Sequence, residues 1–127
     1  MNFRNFRSSS GKEFLLGKDS ETNDELVKNF EGKNNVILHT SKPGSPFCVI
    51  NDLKPSKKDI KEAGIIVASK SQDYRYNKKD VKVHIFTGKD VYKNKLMKSG
   101  TWEIKRKPKQ ILIKKREIEK WLLENSN

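Results

Sequence analysis

The stretch Val36-Ile37-Leu38-His39-Thr40-Ser41-Lys42-Pro43-Gly44-Ser45-Pro46-Phe47-Cys48-Val49-Ile50 decides the fold. Two short apolar runs flank a turn of proline, glycine and serine. Each run is too short for a helix, so the pattern predicts two strands joined by a tight connection. They make the most hydrophobic part of the chain, which places them at the centre of a sheet. The 47–50 run is expected to be buried on both faces. Gly44 supplies the positive φ that such a turn requires.

Working outward toward the N-terminus, residues 2–8 and 13–17 read as strands, and the Ser8-Ser9-Ser10-Gly11 turn makes them a hairpin. Residues 19–30 predict a helix with Ser20 or Thr22 as N-cap, Asp24 and Glu25 near its positive end, and Leu26, Val27 and Phe30 as its apolar stripe. Gly32 ends it. On the other side, Ser56 and Asp59 are spaced as a capping box for a second helix, which ends near Ser71. Ile60, Ala63, Gly64, Val67 and Ala68 share one face of it. Residues 72–79 read as a polar loop exposing Tyr74 and Tyr76, and 81–86 alternates as a strand. Residues 88–100 form a basic connection without clear period. Residues 101–105 and 110–114 read as a closing hairpin around Pro108. A last helix over 116–125, with Ile118, Trp121 and Leu122 on one face, is expected to cover a sheet edge. The order predicts an α+β fold: a mainly antiparallel sheet with two to three helices packed on it, in a single domain. Residues 1–115 form its body, and 116–127 a helix appended to the same domain.

A length of 127 residues suits one domain, for which about 100–150 is typical. Six Phe, three Tyr and two Trp argue for a packed core rather than disorder. No apolar run approaches the roughly 20 residues that a bilayer span needs. The single cysteine, Cys48, excludes a disulfide scaffold. No basic-then-apolar leader opens the sequence, so a reducing, cytoplasmic compartment is expected. The 28 Lys and Arg outnumber the 16 Asp and Glu, for a net charge of +12. Residues 1–63 carry 11 basic and 9 acidic side chains, and residues 64–127 carry 17 and 7. A basic half on a small folded domain is the footprint of a polyanion binder. Because 23 of the cations are lysine, a solvated coat competes with that reading.

Catalytic constellations are sparse. His39 and Cys48 fall close enough on adjacent strands for a nucleophile pair, but Cys48 sits between Phe47 and Val49, where burial keeps a thiol neutral. The core reading of Cys48 prevails. Two histidines and one cysteine make no tetrahedral metal set, and no glycine-rich phosphate loop is present. The expectation is therefore a protein that is not an enzyme, with no cofactor and no metal. The 43–46 turn reads as a connector between core strands. Alternatively, it is a backbone-rich concavity beside Lys42 and His39, suited to a phosphate or a base edge. Aromatic and basic residues interleave in Tyr74-Arg75-Tyr76, in Tyr92-Lys93, and in Trp102 followed by Lys105-Arg106-Lys107. Such pairings suit unpaired RNA, where stacking contributes about 1–3 kcal/mol per base. Core packing competes for Trp102.

On these residues the chain resembles a stand-alone NFACT-R domain, the RNA-binding domain found at or near the C-terminal end of the NFACT proteins of ribosome-associated quality control. The resemblance runs from about Phe3 to Ile113 as an ordered series. Phe6, Ser8 and Gly11 match its opening. Gly17-Lys18-Asp19 with Asn23-Asp24 follows, then Leu38-His39 with Pro43-Gly44-Ser45-Pro46-Phe47. Glu62-Ala63 with Ala68 to Ser71, Val91 with Lys93, and Gly100-Thr101-Trp102 complete it. Gly64 stands where the family usually has a second alanine, and Gln72 replaces a basic residue. Val36-Ile37-Leu38 is less aromatic than the family's strand, and the last helix lies outside the resemblance. The resemblance implies RNA binding without catalysis, with tRNA or rRNA and the ribosome as partners. Lys18, Arg75, Lys93, Lys105, Arg106 and Lys107 would then contact phosphate. His39, Lys42, Gly44 and Ser45 would form a more selective pocket at the turn. The competing function is a ribosome- or protein-docking adaptor with a Lys-rich solvated surface.

Overall fold

A computed structural model of the chain describes residues 2–126. Met1 and Asn127, the outermost residues of the two segments drawn above, lie outside the described residues. In chain order the elements are β1 (Arg4–Arg7), β2 (Glu13–Leu16), α1 (Ser20–Phe30), β3 (Val36–Thr40), β4 (Cys48–Ile50), α2 (Lys57–Ser69) and α3 (Gln72–Asn77). They continue with β5 (Val81–Thr87), β6 (Val91–Tyr92), β7 (Glu103–Ile104), β8 (Lys109–Ile113) and α4 (Lys115–Glu124). The expected α+β architecture is present. Six strands form one sheet in the order β1-β2-β4-β3-β5-β8, and β6 and β7 pair separately. Every pairing is antiparallel.

The opening stretch lies where its hydrophobicity places it, with β3 and β4 at the centre of the large sheet. Ile37 pairs with Val49 and Leu38 with Cys48. All three residues of β4 are buried. Because side chains alternate across a strand, the two central strands serve two cores. Leu38, Cys48 and Ile50 join Phe14, Val83 and Ile113 beneath α2 and α4. Ile37, Val49 and Phe86 join Leu26 and Val27 of α1, with Trp102 and Ile104 packed alongside. Fully burying each such side chain contributes about 1.5–3 kcal/mol.

Four local readings are corrected. The N-cap of α1 is Asp19, whose carboxylate accepts from the Thr22 N–H while the Thr22 hydroxyl accepts from the Asp19 N–H. Thr22 is thus the far half of a capping box rather than the cap. Residues 72–77 form the single helical turn α3, capped by Ser71, in place of a loop. Tyr74 consequently turns into the core at 5% exposure, and Tyr76 alone of the pair is exposed, at 72%. One turn is too short to show a helical period in the sequence. The expected hairpin around Pro108 does not form: β7 pairs with β6, and β8 pairs with β5. Asp90 holds the segment after β7 in place, accepting the Lys105 N–H on its backbone carbonyl and the Arg106 guanidinium on its carboxylate. Finally, α4 lies against α2 instead of covering an edge. Ile118 is fully buried there, and Trp121 meets Phe6 edge-on at 6.0 Å.

Close packing accounts for Gly64. A Cβ at this position would stand 3.1 Å from methyl groups of Ile111 and Ile113, so the glycine lets β8 approach α2 closely. Gly17 is more constrained. A Cβ there would fall 2.0 Å from Asn23 Oδ1, the atom that accepts the Phe47 N–H and ties β4 to α1.

Cys48 is fully buried, and desolvation pushes its thiol above the ordinary range. It should label slowly with thiol reagents in the native state and rapidly after unfolding. Cys48→Ser should cost about 1–3 kcal/mol in denaturant titration, because a hydroxyl replaces a small apolar group. Rapid native labelling would mean that this strand opens.

Candidate nucleic-acid interface

The turn after β3 is held together from within. The Thr40 N–H donates to Ser45 Oγ at 3.1 Å, and Ser45 Oγ donates to the Pro46 carbonyl at 3.1 Å. The Thr40 hydroxyl donates to the Lys42 carbonyl at 2.6 Å. Gly44 has φ +95°, and its carbonyl accepts the Gln72 N–H at 2.8 Å, which docks the turn onto the start of α3. The turn is therefore a rigid wall. The Ser45 hydroxyl is already both donor and acceptor inside it.

That wall closes one side of a cleft of about 690 Å³. The N-terminal end of α1, the 99–104 segment, and the junction of α2 with α3 close the others. His39 and His84 form its floor, directly paired across β3 and β5. They lie on the same sheet face as Ile37 and Phe86. α1 and the β6–β7 pair cover those two apolar residues and stop short of the histidines. The cleft is thus the uncovered part of a half-covered face.

His39 stacks on Phe47 at 4.3 Å and 29°, and its Nδ1 lies 2.7 Å from the Thr40 carbonyl. A carbonyl can only accept, so Nδ1 bears the proton. Desolvation holds the ring's pKa at about 4, against the pull of the Thr40 carbonyl and the Ser45 backbone, with His84 lowering it further. Between about pH 6.5 and pH 4 the unfolded chain therefore binds a proton that the native ring refuses. Native stability should fall on acidification through that window, by up to ~1.4 kcal/mol per pH unit, and be insensitive to this group above it. Denaturant titrations at pH 7, 5.5 and 4.5 should show a shallower decline for His39→Gln. Parallel declines would show that the ring carries none of the effect.

Four cations line the cleft: Arg4, Lys18, Lys70 and Arg75. Among the described residues none of them forms an ion pair. Lys70 sits 5.3 Å from the Phe6 ring and 5.6 Å from the Trp121 ring. Burial lowers its pKa, and the like charge of Arg4 lowers it further. The one carboxylate in the lining, Asp19, is occupied in capping α1. That also leaves little of the helix's positive end for an outside anion.

The structure brings together Lys18, His39, Gly44, Ser45 and Arg75 of the sequence-derived residues. It does not bring in the others. Lys42 lies outside the lining, with its ammonium 3.7 Å from Asp73. Lys93 is a strut: its ammonium donates to Asp24, to the Lys98 carbonyl and to the Thr101 carbonyl, and sits 5.4 Å over Trp102. Lys105, Arg106 and Lys107 are exposed and lie outside the lining. Sequence reasoning missed Arg4, Lys70 and His84. The alternation of Val81, Lys82, Val83 and His84 was the available signal for His84. Arg4 and Lys70 look like ordinary solvated cations until β1 and the end of α2 meet.

Asp24 organises the remaining wall. Its carboxylate accepts from Lys93 Nζ, the Gly100 N–H and Trp102 Nε1 on one oxygen, at 2.9–3.0 Å, and from the Ser99 hydroxyl on the other. Burial works to raise its pKa, but these hydrogen bonds outweigh it and leave the carboxyl below its usual range.

Residues 2–106 match the family pattern of the NFACT protein RNA binding domain. The chain belongs to this family. NFACT-R is an RNA-binding family rather than a catalytic one. Of the residues that carry the resemblance, Gly17, Asn23, His39 and the 43–47 turn line the cleft. The fold is also that of the C-terminal part of the fibronectin/fibrinogen-binding protein from Streptococcus suis, with a TM-score of 0.81 at 22% identity. The alignment covers 94% of this chain and 49% of that one, so this chain spans about half its length. A comparison with curated proteins finds no match. Among the described residues no helix is long and apolar enough to cross a membrane.

Proposed function

We propose that this NFACT-R domain is a non-catalytic, cytoplasmic RNA-binding module that acts on tRNA or ribosomal RNA, in translation or ribosome-associated quality control, with the cleft as its recognition site. The observation that carries the reading is the convergence of Arg4, Lys18, Lys70 and Arg75, without ion-pair partners among the described residues, around a neutral His39. Unsatisfied cations around a concave, half-apolar floor suit a phosphate chain with a splayed nucleotide. Gly44 and Ser45 shape the floor's edge, with Lys42 beside them. Lys105, Arg106 and Lys107 extend the positive surface for the flanking strand, while Lys93 holds the wall. α4 belongs to the same folding unit, since Ile118 and Ile113 share one core.

Contacts to phosphate position an RNA, whereas contacts to bases and sugars discriminate. His39→Ala with Arg75→Ala should therefore alter the preference between folded tRNA and an unstructured RNA. Lys114→Ala with Lys115→Ala, outside the cleft lining, should lower both affinities in equal proportion. Equal proportional losses for both pairs, with unchanged melting temperatures, would reduce the turn to a connector and favour the docking-adaptor reading.

A further inference from the structure

We infer that the cleft takes a single unpaired nucleotide, whose nucleoside donates a hydrogen bond to His39 Nε2 while an adjoining phosphate lies against Arg4, Lys70 and Arg75. This rests on the reading of the cleft as the RNA site and specifies what that site selects.

The two nitrogens of His39 are not equivalent. Nδ1 is committed to the Thr40 carbonyl at 2.7 Å, and the Phe47 stack fixes the ring in that orientation. The Ser45 backbone also pulls on the ring, but Nε2 makes no hydrogen bond of ordinary length and angle among the described residues, where no buried side-chain nitrogen or oxygen lacks a partner. Nε2 therefore reaches the cleft surface. With the proton on Nδ1, it presents a lone pair and nothing else. A phosphodiester offers only acceptors, so the floor of the cleft is the wrong place for a phosphate. It is the right place for an N–H or O–H of a nucleoside: a base imino or amino group, or a ribose 2′-hydroxyl.

The phosphate has its own place. Arg4 of β1, Lys70 at the end of α2 and Arg75 of α3 come from three neighbouring elements, and the mutual repulsion of Arg4 and Lys70 is relieved when an anion arrives. A cleft of about 690 Å³ is in the range of sites for small molecules, roughly 300–1,000 Å³. It admits one nucleotide and excludes a stacked duplex, whose base edges are in any case inaccessible to side chains in the deep groove.

The test uses fluorescent 12-mers of oligoadenylate and oligouridylate on the intact protein, at fixed salt. Each is compared with its 2′-deoxy form and with a base-methylated form, N6,N6-dimethyladenine or N3-methyluracil. These arms separate the sugar donor from the base donor without touching the fold. The expected result is that at least one modification weakens binding about five-fold, the scale of one neutral hydrogen bond. That loss should vanish in His39→Leu and persist in His39→Gln, whose amide oxygen restores an acceptor. Losses below two-fold for every modification, or a loss of the same size in His39→Leu, would overturn the inference. In either case, retained salt-sensitive RNA binding would leave the broader reading intact, whereas absence of RNA binding by the unmodified protein would remove both.

Discussion

Changing Lys105, Arg106 and Lys107 together to glutamate should lower RNA affinity at least ten-fold at 50 mM salt while leaving the fold in place. All three side chains are exposed, and the ion pair that Arg106 makes with Asp90 involves an arginine whose side chain is 79% exposed. Exposed pairs contribute only about 0–1 kcal/mol, so the melting temperature should hardly move. Each phosphate contact on a single strand contributes about −0.7 to the slope of log affinity against log salt, and losing three should flatten that slope by about 2. The salt titration is the decisive measurement. If the slope of the triple variant equals that of the wild type, these three cations do not touch RNA.

Asp24→Ala should be the most damaging single change at the site. The substitution leaves the Lys93 ammonium, the Gly100 N–H and the Trp102 indole N–H without their shared acceptor. Stranding a partly buried cation and its neighbours costs about 3 kcal/mol, which for a domain of this size lowers the melting temperature by on the order of 10 °C. The 99–104 wall should loosen with it, so RNA binding weakens even at temperatures where the domain remains folded. Lys93→Met removes only one donor and should cost less. If Asp24→Ala melts like the wild type, the wall is held by the apolar contacts of Trp102 and Ile104 alone.

The large sheet and both long helices were legible because each carries a signal within a dozen residues: apolar runs for β3 and β4, a capping box for α2, a stop glycine after α1. The segments that misled are those whose partners lie far away in sequence. Residues 101–105 look like half of a hairpin, yet β7 pairs with Val91–Tyr92 and hangs on Asp90 and Asp24. Tyr74 looks exposed because five of its neighbours are polar, but the Ser71 cap curls the chain and turns the ring inward. The site divides in the same way. His39, Gly44 and Ser45 stand out in a local motif, whereas Arg4 and Lys70 acquire meaning only when the first strand and the end of the second helix meet. Lys93 reads as a phosphate contact from its charge, and only the folded chain reveals that all three of its protons are engaged within the protein.

The outer strands of the large sheet bear on how the protein behaves toward its own copies. β1 and β8 each end the sheet with open backbone groups, the usual template for edge-to-edge association. β1 carries Arg4 and Arg7, while β8 begins at Lys109 directly after Pro108, which has no N–H to offer. Two copies pairing through these edges would bring like charges to about 5 Å, inside the roughly 8 Å Debye length of physiological salt. Repulsion therefore still acts at the distance where strands would zip together. The same charges that draw in a polyanion keep a concentrated solution dispersed. Neutralising them, by high salt or by RNA near charge balance, is where colloidal stability should first fail.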